Sequence, residues 1–239
     1  MTTAMPPDLL FDLDGTLIDS SAGILGSFER VLAMHGLAPA VPLTAALIGP
    51  PLAATLRQVS GLGETGDDAL LGRLVEAFKA DYDSEGCRAT TAFPGVADGL
   101  AQLAGAGSRL FIVTNKRLLP SRRILDALGL ARLFAGIHSR DETEPPAPSK
   151  AAVTRRVIGQ HRIDPACACF VGDSDEDAAA ARENGLYFIH AAYGYGAAGA
   201  PHGSSSVAAA QPGAVLDRFA RLPGIVAAYL HQGCAPTRP

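Results

Sequence analysis

Leu9-Leu10-Phe11-Asp12-Leu13-Asp14-Gly15-Thr16 is the stretch on which the reading of this chain turns. An apolar run ends in one aspartate, and a second aspartate stands two residues on. Gly15 permits a sharp departure of the backbone. Asp14-Gly15 by itself reads as a turn signal. That reading leaves Asp12 unexplained, because an unpaired charge inside an apolar run is expensive. Two later segments have the same form. One is Leu110-Phe111-Ile112-Val113-Thr114-Asn115, and the other is Cys169-Phe170-Val171-Gly172-Asp173-Ser174-Asp175-Glu176-Asp177. Lys150 stands between them. If the apolar runs are neighbouring parallel strands, all these polar groups meet at one edge of one sheet.

The rest of the chain supports that arrangement. From Val96 onward helical and strand patterns alternate: helix over 96–104, strand over 109–114, helix over 121–128, strand over 136–139. Helix over 151–159, strand over 167–171, helix over 176–184 and strand over 187–191 follow. Repeated βαβ units predict a parallel sheet covered by helices. Ligands in such sheets bind beyond the carboxyl ends of the strands. Residues 17–90 carry only helical stripes: Ile24, Phe28, Val31 and Leu32; Leu52, Leu56 and Val59; Leu70, Leu74, Val75 and Phe78. They read as a helical insertion, closed by Phe93-Pro94-Gly95. The last 40 residues read as a loop through Gly203-Ser204-Ser205-Ser206, a short strand or helix, and a terminal helix with an irregular tail from Gly233.

The polar groups suit a cation and a phosphoryl group. Two carboxylates about 4 Å apart repel by roughly 1 kcal/mol in water and about 4 kcal/mol at an effective dielectric of 20. Asp12, Asp14, Asp173 and Asp177 gathered together therefore need a cation. Their ligand atoms are all oxygens, which favours magnesium over zinc. Asp177 stands four residues after Asp173 and faces back toward the strand end if a helix starts near Asp175. Asp175 and Glu176 read as ordinary first-turn acids. Thr114 offers a hydroxyl, and with Asn115 it makes a phosphate cradle of backbone N–H groups. Lys150 follows Pro145-Pro146-Ala147-Pro148-Ser149, which restricts where it points. Its charge offsets both acids and phosphate.

Bulk properties exclude other classes. The chain has 239 residues, enough for one large domain with a smaller partner, and 48% are hydrophobic, enough for a buried core. A net charge of −4 offers no basic face for nucleic acid. No run of apolar residues is long enough to span a membrane, and no signal peptide is read before the first strand. Cys87, Cys167, Cys169 and Cys234 lack metal or redox spacing and read as structural thiols in a reducing cytoplasm. Gly194-Tyr195-Gly196-Ala197-Ala198-Gly199 matches a dinucleotide fingerprint, but Pro201-His202-Gly203-Ser204 follows it instead of a helix. It reads as a flexible loop at the mouth of the pocket.

Phe11-Asp12-Leu13-Asp14-Gly15-Thr16-Leu17 resembles the first motif of the haloacid dehalogenase superfamily in its phosphatase form. Thr114 matches the second motif, and Gly172-Asp173 with Asp177 the acidic fourth. Ile48-Gly49-Pro50-Pro51-Leu52, Phe93-Pro94-Gly95-Val96 and Tyr193-Gly194-Tyr195-Gly196 are similar to stretches of phosphoglycolate-phosphatase-like members. The resemblance implies an α/β fold: a Rossmann-like core over 1–18 and 92–239, with a small all-helical cap over 19–91. It implies Asp12 as nucleophile of a magnesium-dependent phosphatase and Asp14 as acid and base. The residues themselves do not choose between the two as nucleophile. Thr114 and Lys150 would hold phosphoryl oxygens. Asp12, the Asp14 backbone carbonyl and Asp173 would bind Mg2+, with Asp177 as ligand or behind one. In the third motif many relatives carry Lys-Pro-x-Pro, and Pro145 stands at that lysine here. Lys150 resembles the lysine of a subgroup in which it opens the helix. Arg57 on a cap helix is a candidate contact for a substrate anion, though a solvated helix arginine explains it equally.

The expected activity is hydrolysis of a small phosphorylated metabolite such as phosphoglycolate, by a cytoplasmic monomer or homodimer. The alternatives are a sugar phosphomutase or another hydrolase of the superfamily. A dehalogenase gives Asp14 no task, and phosphonate cleavage wants a cap lysine, where Lys79 is poorly placed. A non-catalytic module on the same fold is disfavoured by the presence of Asp12, Asp14 and Asp173 together. Segments 17–21 and 90–93 are the expected hinges of a closing cap.

Overall fold

The computed structural model describes residues 6–64, 66–197 and 212–231. The Gly203–Ser206 loop, Cys234 and the tail from Gly233 lie outside the described residues. The chain divides into two compact units, Met1–Ile18 with Ala92–Pro239, and Asp19–Thr91.

In chain order the elements are β1 (Asp8–Phe11), β2 (Ile18–Asp19), α1 (Ser21–Met34), α2 (Leu52–Ser60), α3 (Asp68–Ser84) and β3 (Thr91–Ala92). There follow α4 (Val96–Gly105), β4 (Leu110–Thr114), α5 (Leu118–Ala127), β5 (Gly136–Ser139) and α6 (Lys150–His161). The rest are β6 (Ala168–Gly172), α7 (Asp175–Glu183), β7 (Tyr187–Ala191), β8 (Ala214–Leu216) and α8 (Leu222–His231).

The larger unit is built on a six-stranded sheet in the order β5-β4-β1-β6-β7-β8, with every pairing parallel. The fold is α/β with a Rossmann-like core. Its three central strands are near-continuous apolar runs because both faces of a parallel sheet are covered by helices. Leu9, Leu10, Phe11, Phe111, Ile112, Phe170 and Val171 are all fully buried. Register aligns the strand ends. Phe11 pairs with Ile112 on one side and Val171 on the other. Asp12, Thr114 and Asp173 therefore leave the sheet at the same edge.

The smaller unit is helical, with Phe28, Val31, Leu32, Leu56, Val59 and Leu74 as its core. Phe28 lies 4.7 Å from Phe78 between ring centroids. Asp67 caps α3, accepting from the backbone N–H of Ala69 and Leu70. The buried stripe of α3 is Leu71, Leu74, Phe78 and Tyr82, not the expected Leu70, Leu74, Val75 and Phe78. Spacing of three and four continues through Tyr82, an aromatic whose polar tip hid it among polar neighbours. No strand is expected over 17–90, yet β2 lies there and pairs with β3 where the chain passes between the units. Two residues are too few to leave a periodic signal.

Among the described residues no helix is long and apolar enough to cross a membrane. Cys87 and Cys169 are free and buried. Cys167 is disulfide-bonded, which departs from the expected thiol.

Candidate active site

Asp12 immediately follows β1, and its backbone N–H donates to the Val171 carbonyl at 2.9 Å, one more ladder bond toward β6. Its carboxylate is almost fully buried. Lys150, the first residue of α6, is also buried and its Nζ lies 3.0 Å from Asp12 Oδ1. The same ammonium donates to Asp177 Oδ1 at 2.6 Å. Ser149 caps α6 by accepting from the Ala152 N–H, which fixes the helix start and so the lysine. The proline-rich approach is clamped by Arg140, which donates to the carbonyls of Ala147 and Pro148 at 2.8 and 2.9 Å. Arg140 is an isolated arginine in the sequence, with no signal of that task.

Asp173 follows β6. Thr16 donates to its Oδ1 at 3.4 Å, and the Gly196 N–H to its Oδ2 at 3.1 Å. Asp177 sits in the first turn of α7 within a capping box: Ser174 and Asp177 bond reciprocally. Asp177 Oδ2 accepts from the N–H of Asp173, the N–H of Ser174 and the Ser174 hydroxyl. Both Asp177 oxygens are thus engaged, one by Lys150 and the other by three donors. Asp177 orients the cluster more than it offers lone pairs.

Ligand oxygens of Asp12, Asp173 and Asp177 lie within 4.8 Å of one another, all three residues buried. Three carboxylates and one ammonium sum to minus two, the charge one divalent cation cancels. The all-oxygen donor set suits a hard ion such as Mg2+, with Asp12 and Asp173 as the residues best able to coordinate it. The electrostatics agree. Burial pushes the Asp12 carboxyl well above the ordinary carboxylate range. Lys150 opposes this, while Asp177 and Asp173 add to it. Burial and then Asp177 push Asp173 up to about 6 against the Gly196 N–H. Burial would lower the Lys150 ammonium, but Asp12 and Asp177 outweigh it and hold the charge in place.

Asp14 stands on the loop after β1. Lys116 Nζ reaches both its oxygens, at 3.0 and 3.1 Å. Thr114, at the end of β4, is buried, and its Oγ1 accepts from the Lys116 N–H at 3.1 Å, which leaves the hydroxyl proton to point elsewhere. Asn115 Nδ2 donates to Glu176 Oε2 at 2.6 Å, and Glu176 Oε1 accepts from the Lys150 N–H at 3.3 Å. The Asn115 side-chain amide is therefore turned toward α7. Glu176 is no mere first-turn acid: it ties the end of β4 to the start of α6. Nothing in the sequence marks Lys116, and Glu176 reads there as an ordinary first-turn acid. Their partners are 102 and 61 residues away and are not visible along the chain.

The glycine-rich segment after β7 packs on the site. A Cβ at Gly194 would lie 2.3 Å from both Asp173 Cβ and the Gly15 carbonyl, and one at Gly196 only 2.0 Å from the Asp173 carbonyl. These residues are glycines because the backbone passes against Asp173. Residues 198 and 199 of the fingerprint lie outside the described residues. Gly15, at φ +82°, also faces this carboxylate: a Cβ there would lie 2.3 Å from Asp173 Oδ2. Tyr193 donates its hydroxyl to the Thr16 carbonyl at 2.7 Å. Arg57 belongs to the helical unit, on α2. Its guanidinium donates to the Gly63 carbonyl at 3.1 Å and to Asp68.

Residues 9–191 match the family model described as Haloacid dehalogenase-like hydrolase. Tyrosine-protein kinase PtkA of Mycobacterium tuberculosis is 36% identical over 194 residues, covering 81% of this chain and 64% of that protein. The chain thus spans less than two thirds of that relative's length. In its solved structure PtkA superposes with a TM-score of 0.74 at 31% identity, over 92% of this chain and 98% of that one. A phosphoglycolate phosphatase of Cereibacter sphaeroides is 32% identical over 198 residues, 79% of this chain and 86% of the other. The haloacid dehalogenase-like family protein SP0104 of Streptococcus pneumoniae shares the fold, with a TM-score of 0.78 at 24% identity, over 94% of this chain and 99% of that chain. On the family model and these identities, the chain belongs to the haloacid dehalogenase-like hydrolase family.

Proposed function

We propose that this protein is a magnesium-dependent phosphatase that hydrolyses a small phosphomonoester through an aspartyl-phosphate on Asp12. One observation carries the reading: a buried carboxylate at the sheet edge, held 3.0 Å from a buried ammonium and beside a second carboxylate suited to a cation. Bound Mg2+ would neutralise the acids and polarise the phosphoryl oxygens. Asp12 attacks phosphorus, forming an O–P bond as the ester P–O bond breaks. The departing alkoxide takes a proton from the Asp14 carboxyl. Water then attacks phosphorus and loses a proton to the Asp14 carboxylate, which restores Asp12 and releases inorganic phosphate. Lys150 and the Thr114 hydroxyl would offset the charge on the phosphoryl oxygens.

The identity to a phosphoglycolate phosphatase makes phosphoglycolate the first substrate to try. The helical unit is the proposed cap that excludes water, with Arg57 as its candidate anion contact if it leaves Asp68. Phosphate release from phosphoglycolate and p-nitrophenyl phosphate, with and without magnesium, tests the proposal. Turnover should require magnesium and vanish in Asp12→Asn while the thermal transition persists. A folded wild-type protein that releases no phosphate would contradict it.

A second reading has its own support. The 36% identity to tyrosine-protein kinase PtkA makes phosphoryl transfer to a tyrosine hydroxyl a reaction to test. Incubation with γ-labelled ATP and a tyrosine-containing acceptor protein, run beside the phosphoglycolate assay, decides between the two: label on tyrosine favours transfer, and an unlabelled acceptor beside phosphate release from phosphoglycolate favours hydrolysis.

A further inference from the structure

The loops that carry the site are tied in a ring. Thr16 on the first loop bonds Asp173 on the third. Asn115 on the second bonds Glu176, next to the third. Lys116 closes the ring, joining the second loop to Asp14 on the first. Its side chain is 6% exposed and that of Asp14 17%, so the pair is largely shielded from water. Both ends of Lys116 are fixed. Its backbone N–H donates to Thr114 Oγ1 at the end of β4, and its ammonium spans both Asp14 oxygens. An aspartate on a turn beside a glycine has rotamer freedom that this two-oxygen contact removes. Lys150 already supplies the cation beside Asp12.

We propose that Lys116 is a positioning residue for this reaction, which holds the Asp14 carboxyl group in line with the leaving-group oxygen. The inference rests on the phosphatase reading above. A positioned proton donor accelerates the departure of an alkoxide far more than that of an acidic phenolate, which leaves without a proton. In the step that expels the leaving group, Lys116 therefore matters according to what the phosphate is attached to; the later attack of water, in which Asp14 acts as base, is common to all esters. A residue that binds phosphate, or that only supports the fold, affects every ester alike.

The test compares two probes on the full chain with magnesium: phosphoglycolate, which releases an alkoxide, and p-nitrophenyl phosphate, which releases a stabilised phenolate. Lys116→Met should lower kcat/KM, which reports the steps up to departure of the leaving group, on phosphoglycolate by about tenfold or more beyond its effect on p-nitrophenyl phosphate, a part of the roughly hundredfold to ten-thousandfold that a general acid supplies. In an Asp14→Asn background the Lys116 substitution should add no further loss, since the group it positions is gone. That double variant also removes both charges of the pair, which keeps the test open if Lys116→Met alone folds poorly. Equal losses of kcat/KM on both probes, a rise in KM alone, or a further loss in the Asp14→Asn background would overturn the inference while the phosphatase reading stands. Wild-type protein inert on both probes would overturn the phosphatase reading and this inference with it.

Discussion

Both units carry exposed ion pairs, but among the described residues the larger unit also buries a cluster of charges. In the helical unit ion pairs lie at the surface: Arg30 with Asp81, Lys79 with Glu76, Arg88 with Glu85. At the sheet edge Lys150 meets Asp12 and Asp177 with side chains 3%, 8% and 0% exposed. A surface pair gains little, because water and salt screen it. A buried cluster must recover a large desolvation cost and does so only with near-complete partnering. The difference separates charges that decorate a fold from charges that the fold has been arranged to hold.

Removing Lys150 should break the comparison most visibly. Lys150→Met leaves three buried carboxylates facing one another, and losing one partner of a buried pair costs about 3–5 kcal/mol. Urea denaturation without magnesium should show a loss of that size, together with loss of turnover. Saturating magnesium should return part of the stability.

Acidity sharpens the same contrast. Asp173 is pushed up from an ordinary 3.8 to about 6 in the metal-free protein. A carboxyl whose folded pKa lies above its unfolded value contributes stability that is complete below about pH 4 and is lost as pH rises through about 6. A divalent cation binds the ionised form, so its binding should release protons near that pH. The rise in melting temperature on adding magnesium should therefore be larger above pH ~7 than below pH ~5. A thermal shift independent of pH would contradict this. The smallest effect belongs to the surface: Arg30→Ala should cost less than about 1 kcal/mol by urea denaturation, because Arg30 is 48% exposed.

How much of this was legible depends on how far apart the interacting residues lie. The alternation from Val96 to Ala191 yields the parallel sheet because each element carries its own period. Asp12, Thr114 and Asp173 stand out as polar residues abutting apolar runs, and strand order then places them at one edge. Lys150 is marked by the prolines that precede it. What stays hidden depends on which loops become neighbours. Lys116 looks like any lysine after a strand until Asp14 arrives from 102 residues away. Glu176 looks like a helix-start acid until Asn115 turns toward it. The glycines at 194 and 196 match a nucleotide motif on paper, yet their physical reason is the backbone's approach to Asp173. The buried stripe of α3 runs through Leu71 and on to Tyr82, which the expected stripe of Leu70, Leu74, Val75 and Phe78 does not include.

The central claim is that the sheet edge gathers acids whose charge a divalent cation must cancel. Calorimetric titration of the metal-free protein with magnesium tests it most directly, run beside Asp173→Asn. The wild type should bind one magnesium ion per chain, and binding should be lost or severely weakened in the variant. Equal binding by both proteins, or none by a folded wild type, would contradict it.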